Sequence, residues 1–525
     1  MNIATAAAKT GIAPFVHDDI AALAGWRERL HWPVAQTEIV AVGARVPGAI
    51  LGFAGGLTDP SERQIAIVAA GLFANGFMSL LEAAWASERA QRIGLELLGG
   101  PPEMPLLAAG SRAFKALEYR GPFGVKPAPR AFLRGIARTT SWTPTWRLPL
   151  TMVAPEAVAI SHNPLLRQAA AGRRVAYRHA ANIVARARAR GAAAGQGAFD
   201  LVDRALDALL PLVPDLGEAY RQRLREVFRA RLGKAVARVA ADVAALHGAP
   251  VPLRVWSGTN GDYATRAIGA EVRRRSGAVD VFDHGGATGI AQLPGSTAII
   301  EMSTASRFHV ATPEMAELLA ATEAPALAAR VNRAEIVGEK GEPLFRRSFR
   351  DRTEPAGARK RVIYVGHPYR GLRQFPLAGL PDVVYWDFQM HLVELLEKLD
   401  IDLLCKPHPE GHFVGKRNPI EALAPTSYRP FEEHLDDADL FLFDAPTSTT
   451  FLEALCTRRP VVLIDRFYAI NPAVRPSIEA RCRIVAARAD AKNRLRVDAG
   501  ALAAAIIDAP RAADPAYFRR LTVGA

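Results

Sequence analysis

From residue 250 onward the chain alternates short apolar runs with amphipathic stretches, and this rhythm constrains the fold more than any other feature. "LRVWSG" reads as a strand, "GDYATRAIGAEVRRRSG" as a helix closing at glycine, "AVDVFDHGG" as a second strand, and "TAIIEMSTASRFHVATPEMAELLA" as a third strand followed by a helix. A polar bridge, "RRSFRDRTEPAGARKR", interrupts the pattern over residues 346 to 361. It then resumes with "VIYVGHPYRG", the helix "DFQMHLVELLEKLD", the strands "IDLLCKPHPEG" and "ADLFLFDAPTS", the helix "TTFLEALCTR", the strand "PVVLID" and a terminal helix "AGALAAAIIDA". Such punctuation predicts parallel sheets built from βαβ units. The class is α/β, with two consecutive doubly wound domains, residues 1 to 350 and 356 to 525, and a cleft at the carboxyl ends of their strands.

The first 160 residues mix apolar runs with breaks such as "LGGPPEMPLL" and assign to no topology. Residues 164 to 247, rich in alanine, leucine and arginine, read as a helical insertion. The charge-free run "QIAIVAAGLFANGFMSLL", residues 64 to 81, has the length of a short membrane span. Gln64, Asn75 and two glycines dilute it, which favours a buried helix.

Composition narrows the function classes. Lys plus Arg number 66 against 53 Asp plus Glu, a net charge of +13 that favours anionic partners. The basic segments 164–190 and 217–247 are either solvated helix faces or docking surfaces for an anionic membrane. No nucleic-acid motif or aromatic stacking platform is evident, so no nucleic-acid partner is expected. Three widely spaced cysteines indicate neither a disulfide framework nor a zinc site. The N-terminus shows no secretory pattern, and the expected location is the cytoplasm, with a peripheral place at the inner membrane left open.

Candidate site residues gather at strand ends. In "FLFDAPTSTTFLEAL" a buried strand passes through Thr447, Ser448, Thr449 and Thr450 into a helix. Hydroxyls and free N–H groups there suit a phosphate, although Thr450 and Glu453 also have capping-box spacing. "KPHP" sets Lys406 and His408 at the end of the preceding strand, where an imidazolium can meet a phosphate. "VFDHGGATG" sets Asp283 and His284 at another strand end, with Gly285 and Gly286 allowing close backbone approach. Asn260, in "SGTNGDYATR", can meet sugar hydroxyls, with Asp262 as a helix cap. His367 and Arg370 are further cleft candidates. There is neither a P-loop signature nor a DxD element in a metal-binding setting, so no metal or cofactor is expected.

"KPHPEG" followed about thirty residues later by "ADLFLFDAPTSTTFLEALCTRRPVVLID" resembles the donor-binding half of bacterial surface-polysaccharide transferases of the GT-B fold. That group includes capsule Kdo transferases, polysialyltransferases and teichoic-acid glycerophosphotransferases. The resemblance covers mainly residues 250 to 525. It implies that His408, Ser448 and Thr449 contact the phosphate of a cytidine-nucleotide donor and that Glu453 meets the ribose. "VFDHGGATG" is similar to the His-Gly element of glycerophosphotransferases, which implies His284 as base. It implies a metal-independent glycosyltransferase moving a sugar from a nucleotide-activated donor to a surface-polysaccharide or glycolipid acceptor. The alternatives are a glycerophosphotransferase, a sugar-nucleotide epimerase, or a non-enzymatic basic protein that binds membrane or nucleic acid.

Overall fold

The computed structural model describes residues 12–14, 25–98, 129–190, 197–286, 288–349, 357–369, 379–408, 417–467 and 470–524. A short parallel pair, β1 (Ile12–Pro14) with β2 (Glu96–Leu98), stands apart from the main architecture. The rest centres on two six-stranded sheets. The first comprises β3 (Ala157–Ala159), β4 (Val175–Tyr177), β5 (Arg254–Ser257), β6 (Ala278–Phe282), β7 (Arg307–Val310) and β8 (Glu335–Gly338), in the order β4-β3-β5-β6-β7-β8 and parallel throughout. The second comprises β9 (Lys360–Val365), β10 (Ile401–Lys406), β11 (Leu440–Phe443), β12 (Val461–Asp465), β13 (Cys482–Ala489) and β14 (Leu495–Val497), ordered β10-β9-β11-β12-β13-β14. Only its β13–β14 pair is antiparallel.

The two orders are the same. In each sheet the chain starts one strand in from an edge, steps out to that edge, then returns past its start and continues to the other side. The direction of winding reverses between β3 and β5, and between β9 and β11. Strands such as β11, "LFLF", are buried at every position, as expected where both faces of a parallel sheet are covered.

Three expectations are corrected. Residues 164 to 247 are not wholly helical, because β4 lies within them and is the edge strand of the first sheet. Three residues flanked by Arg173, Arg174 and Arg178 are too few to show a period. The stretch read as a third strand followed by a helix opens with a π-helical turn, Ala298–Met302, before its strand "RFHV" and the helix Pro313–Ala320. A short apolar run looks alike in a buried strand and a buried helix. Nor is "AGALAAAIIDA" the last helix, since Ala516–Val523 follows it.

Apart from Pro164–Ala170, which precedes β4, the helical part of the insertion lies between β4 and β5. Its longest member, Glu218–His247, packs along Pro60–Arg92, the helix containing the charge-free run. Asp59 caps Pro60–Arg92 by accepting from the N–H groups of Ser61 (2.7 Å) and Glu62 (2.9 Å), and Pro60 occupies the first turn. The helices approach closely where a Cβ on Gly76 would lie 2.7 Å from Leu232, and Phe73 stacks on Phe228 beside that point. Gln36–Gly56 and Pro60–Arg92 are both long and apolar enough to cross a membrane, but 72% of the most apolar window of the second is buried in this fold. Here it serves as a core helix.

Both ends of the described chain cross between the sheets. Near the start, Trp26 packs on Trp386, Gln36 Nε2 donates to Gly379 O, and Trp32 N donates to Lys492 O, all on the side of the second sheet. The following helix, Gln36–Gly56, packs instead on the first half, with Pro47 against Gly295 and Gly55 against Arg330. Conversely, Ala516–Val523 returns to the first half, where Glu342 N donates to Thr522 O (2.8 Å) and Thr312 Oγ1 to Leu521 O (2.7 Å).

Asp387 anchors the first crossing. It is fully buried and accepts from Arg27 (3.1 Å), from Arg494 (2.6 and 2.9 Å) and from Arg496 (2.9 Å). Burial alone would raise its pKa, but the Arg494 bonds and the Arg496 and Arg494 charges hold it below the usual carboxylate range. Asp387→Ala therefore leaves three arginines without their shared partner and is expected to cost about 3–5 kcal/mol in denaturant unfolding. Because the native pKa is depressed, the stabilisation is present above the ordinary value near 4 and disappears as pH falls through the native one. The variant should accordingly lack this part of the wild-type acid destabilisation.

Candidate functional site

The reversal of winding between β9 and β11 leaves a gap at their carboxyl ends, the position where open α/β sheets hold ligands. A small pocket occupies it, lined by Gly366, His367 and Pro368 after β9, His408 after β10, and Asp444, Thr447 and Ser448 after β11. Its cavity of about 60 Å³ is roomy enough for a small anion such as a phosphate group and opens to solvent. A larger depression, between Phe349, Arg458, Asp514 and Arg519, contains none of the strand-end residues. The strand-end pocket is the better candidate because its imidazoles and hydroxyls converge.

Asp444 organises the pocket floor. It is 1% exposed. Its Oδ2 accepts from the hydroxyls of Tyr364 and Tyr385, each at 2.7 Å, and its Oδ1 accepts from His367 N at 3.1 Å. Tyr385 also lies 2.6 Å from His367 N, and Arg466 approaches the Asp444 carboxylate at 3.7 Å. Gln389 donates to both tyrosines and accepts from Tyr369. Burial, followed by the Asp444 charge, keeps Tyr364 and Tyr385 well above the usual phenol value, so both remain donors. The network fixes the main chain that leaves β9 and with it the position of His367.

The first half meets this site through the loop Asp283-His284-Gly285-Gly286. Gly285 and Gly286 have φ of +102° and +69°. A Cβ on Gly285 would strike the Thr449 hydroxyl, and one on Gly286 would sit 2.6 Å from the Phe345 ring, with Leu452 also close. The glycines are required twice over, by backbone conformation and by closeness, and what they approach is the helix Thr449–Leu455. That corrects the expectation that they make room for a ligand. His284 is exposed beside this contact, so the loop carries an accessible imidazole next to the hydroxyl-bearing turn. Asp283 is 3% exposed, and its Oδ1 accepts from Thr288 Oγ1 at 2.6 Å. Burial raises it to about 6, opposed by Thr288 and by the N–H groups of His284 and Gly286. It anchors the loop, which leaves His284 as the accessible base candidate.

Other expected residues fall differently. Lys406 is buried and its Nζ donates to Arg429 O at 2.6 Å, away from the pocket lining. Burial lowers its pKa. Asn260 is fully buried; its N–H and amide donate to Glu301, and the amide also reaches Thr304, so it supports the strand end and does not face a substrate. Asp262 caps the next helix, accepting from Ala264 N. The capping box of Thr450 with Glu453 does not form: Ser448 is the cap, accepting from Phe451 N, and Thr450 Oγ1 lies 3.0 Å from Ser448 Oγ. Glu453 is 3% exposed, too enclosed to meet a ribose in this arrangement. Arg370 lies outside the described residues. His367, expected as a cleft residue, shares the pocket with His408.

Two groups were not visible in the sequence. Ser161, His162 and Asn163 follow β3 at the corresponding reversal in the first sheet. Ser161 pairs with Ser257 at 2.9 Å, and Asn163 Nδ2 reaches the carbonyls of Gly258, Phe282 and Asp283. "SHNP" at an apolar run's end was the available signal. The second group is carboxylic. Glu301, whose carboxyl is enclosed although the residue is partly exposed, Glu342 and Glu453 are each raised by burial to about 7. Asp283 raises the first two further. Ser348 lies close enough to Glu453 to favour its ionised form, yet neither Glu453 Oε1 nor Ser348 Oγ completes a hydrogen bond. Among the described residues no group of three or more His, Cys, Asp or Glu side chains is placed to hold a metal ion.

Comparison of the chain with protein-family models and with curated proteins finds no match.

The raised carboxyls carry a testable consequence. A native pKa above the unfolded one means that the folded state holds the extra proton, so stability falls as pH rises from about 4 through about 7. Glu453→Gln removes that cost, and the variant should gain up to about 3 kcal/mol relative to wild type between pH 5 and pH 8 in urea titrations. A pH-independent difference between the two proteins would contradict the assignment.

Proposed function

We propose that the chain is a glycosyltransferase of GT-B architecture that moves a sugar from a nucleotide-activated donor, a cytidine nucleotide on the resemblance of its motifs, to a surface-polysaccharide or glycolipid acceptor. The observation that carries the reading is the phosphate-sized pocket of His367, His408, Thr447 and Ser448 at the winding reversal of the second sheet, beside the His284 loop of the first. Two sheets of the same order, meeting near their strand ends, suit a donor bound to one half and an acceptor to the other.

In this reading the donor phosphate lies among His367, His408 and Ser448, whose N–H and O–H groups donate to its oxygens. His284 takes the proton of an acceptor hydroxyl as that oxygen bonds to the anomeric carbon. The bond from that carbon to the phosphate oxygen breaks, and the nucleotide leaves with the electron pair. General-base help of this kind is worth about 10²–10⁴-fold.

Thermal-shift and calorimetric titration with CMP, CDP, UMP, UDP and GDP tests the site. A cytidine nucleotide should stabilise the wild type, and His408→Ala should weaken its binding about tenfold or more. His284→Ala should keep nucleotide affinity while losing transfer. If UDP or GDP binds instead, the cytidine assignment fails, and if no nucleotide binds, the transferase reading fails.

Epimerisation of a sugar nucleotide is the second reading, favoured by Asp283, Glu301 and Glu342, enclosed carboxyls raised to about 6, 7 and 7 at strand ends of the first half. Exchange of a sugar C–H with deuterated solvent, in the absence of any acceptor, would select it over transfer.

A further inference from the structure

Nine large apolar side chains are exposed among the described residues, and four of them, Leu133 (63%), Trp146 (73%), Leu150 (53%) and Val153 (85%), fall within 21 consecutive positions. Their segment is not loosely attached. It is bonded along the edge strand β4: Tyr177 N donates to Thr139 Oγ1 (3.0 Å), Trp142 Nε1 to Val175 O (2.8 Å), and Arg147 Nη1 to Gly172 O (3.1 Å). Apolar side chains held outward on an anchored segment mark a surface that meets another phase or molecule.

The charge pattern indicates which. From residue 119 to residue 155 the sequence contains six Lys or Arg and no Asp or Glu. The Arg147 guanidinium stacks 4.4 Å above the Trp146 ring, which places a cation and an amphipathic aromatic together on the exposed segment. Arg138, exposed on the preceding helix, lies instead near Tyr177 and His162, after β4 and β3. The basic helix 217–247 offers less: Arg225 pairs with Asp207 (2.8 Å), Arg229 with Asp203 (3.1 Å) and Arg223 with Glu226 (3.0 Å), while Arg221 is spent on main-chain carbonyls of residues 213, 214 and 216. An exposed apolar and aromatic segment, in a stretch of sequence whose charges are all basic, complements the headgroup region of an anionic bilayer.

We propose that Trp146, Leu150 and Val153, with Arg147 stacked on Trp146, dock the chain on an anionic phospholipid surface. The apolar side chains enter the headgroup boundary while Arg147 meets lipid phosphates. This inference stands apart from the nucleotide pocket and does not depend on it.

The test is co-sedimentation of the full chain with phosphatidylcholine vesicles, with and without about 30 mol% phosphatidylglycerol. The expected result is partitioning onto the anionic vesicles with a blue shift of tryptophan fluorescence, weakened by salt. In the double variant Trp146→Ala, Val153→Asp partitioning should fall about tenfold or more. Both positions are exposed, so the variant should fold, and an unchanged thermal melt together with unchanged nucleotide titration would verify it. Equal partitioning of variant and wild type overturns the proposal, as does failure of the wild type to bind, or equal binding to neutral vesicles. Self-association that the double variant abolishes, in a protein that ignores vesicles, would assign the patch to a second copy of the chain and also overturn it.

Discussion

A carboxylate at the carboxyl edge of a parallel sheet, cut off from water, must be held by donors from several elements at once. Asp444 meets that requirement with a tyrosine from β9, a tyrosine from the helix Asp382–Leu396 and the main chain of His367, with Arg466 from the far end of β12 nearby. Each partner is itself fixed by Gln389 or by packing against aromatic rings. An unsatisfied buried carboxylate costs far more than any one of these bonds returns, so the strand-end geometry follows from satisfying the charge. The pocket above it inherits that geometry.

The main α/β architecture was legible because long strands and helices announce themselves by period. β9, β10, β11 and β12 are apolar runs of four to six residues ending in turn residues, and each stands where the pattern placed it. What escaped were β3, β4 and β14 with three residues each, β8 with four, a π-helical turn of apolar composition, and the eight-residue β13, whose "CRIVAARA" mixes alanines and arginines into the strand pattern. Hydroxyls and histidines at strand ends were readable for a similar reason. His408, Thr447 and Ser448 stand beside runs whose termini are plain in the sequence, and the structure brings them together. Lys406 and Asn260 look equivalent on paper, and only three-dimensional bonding shows them turned to structural use. Glu301 and Glu342 are isolated acids without local pattern, and their enclosure depends on elements far away in the chain.

The Gly285-Gly286 pair joins local and global constraint. A left-handed backbone after β6 would ordinarily be a turn device. Here the same two residues also set how near the first half comes to Thr449 and Leu452, so one dipeptide fixes both the loop that bears His284 and the spacing between the halves. Functional loops on rigid strands commonly depend on such positions, because a side chain there would change distance and conformation together.

The crossed termini bear on how freely the two halves can move against each other. The halves are joined by the main chain between β8 and β9, by the early segment around Trp26 and Trp32 that lies on the second half, and by the final helix that returns to the first. Rigid bodies tied at several separated points retain few relative motions. Less freedom therefore remains to be lost when a molecule spans them, and the entropy of alignment has been met largely during folding.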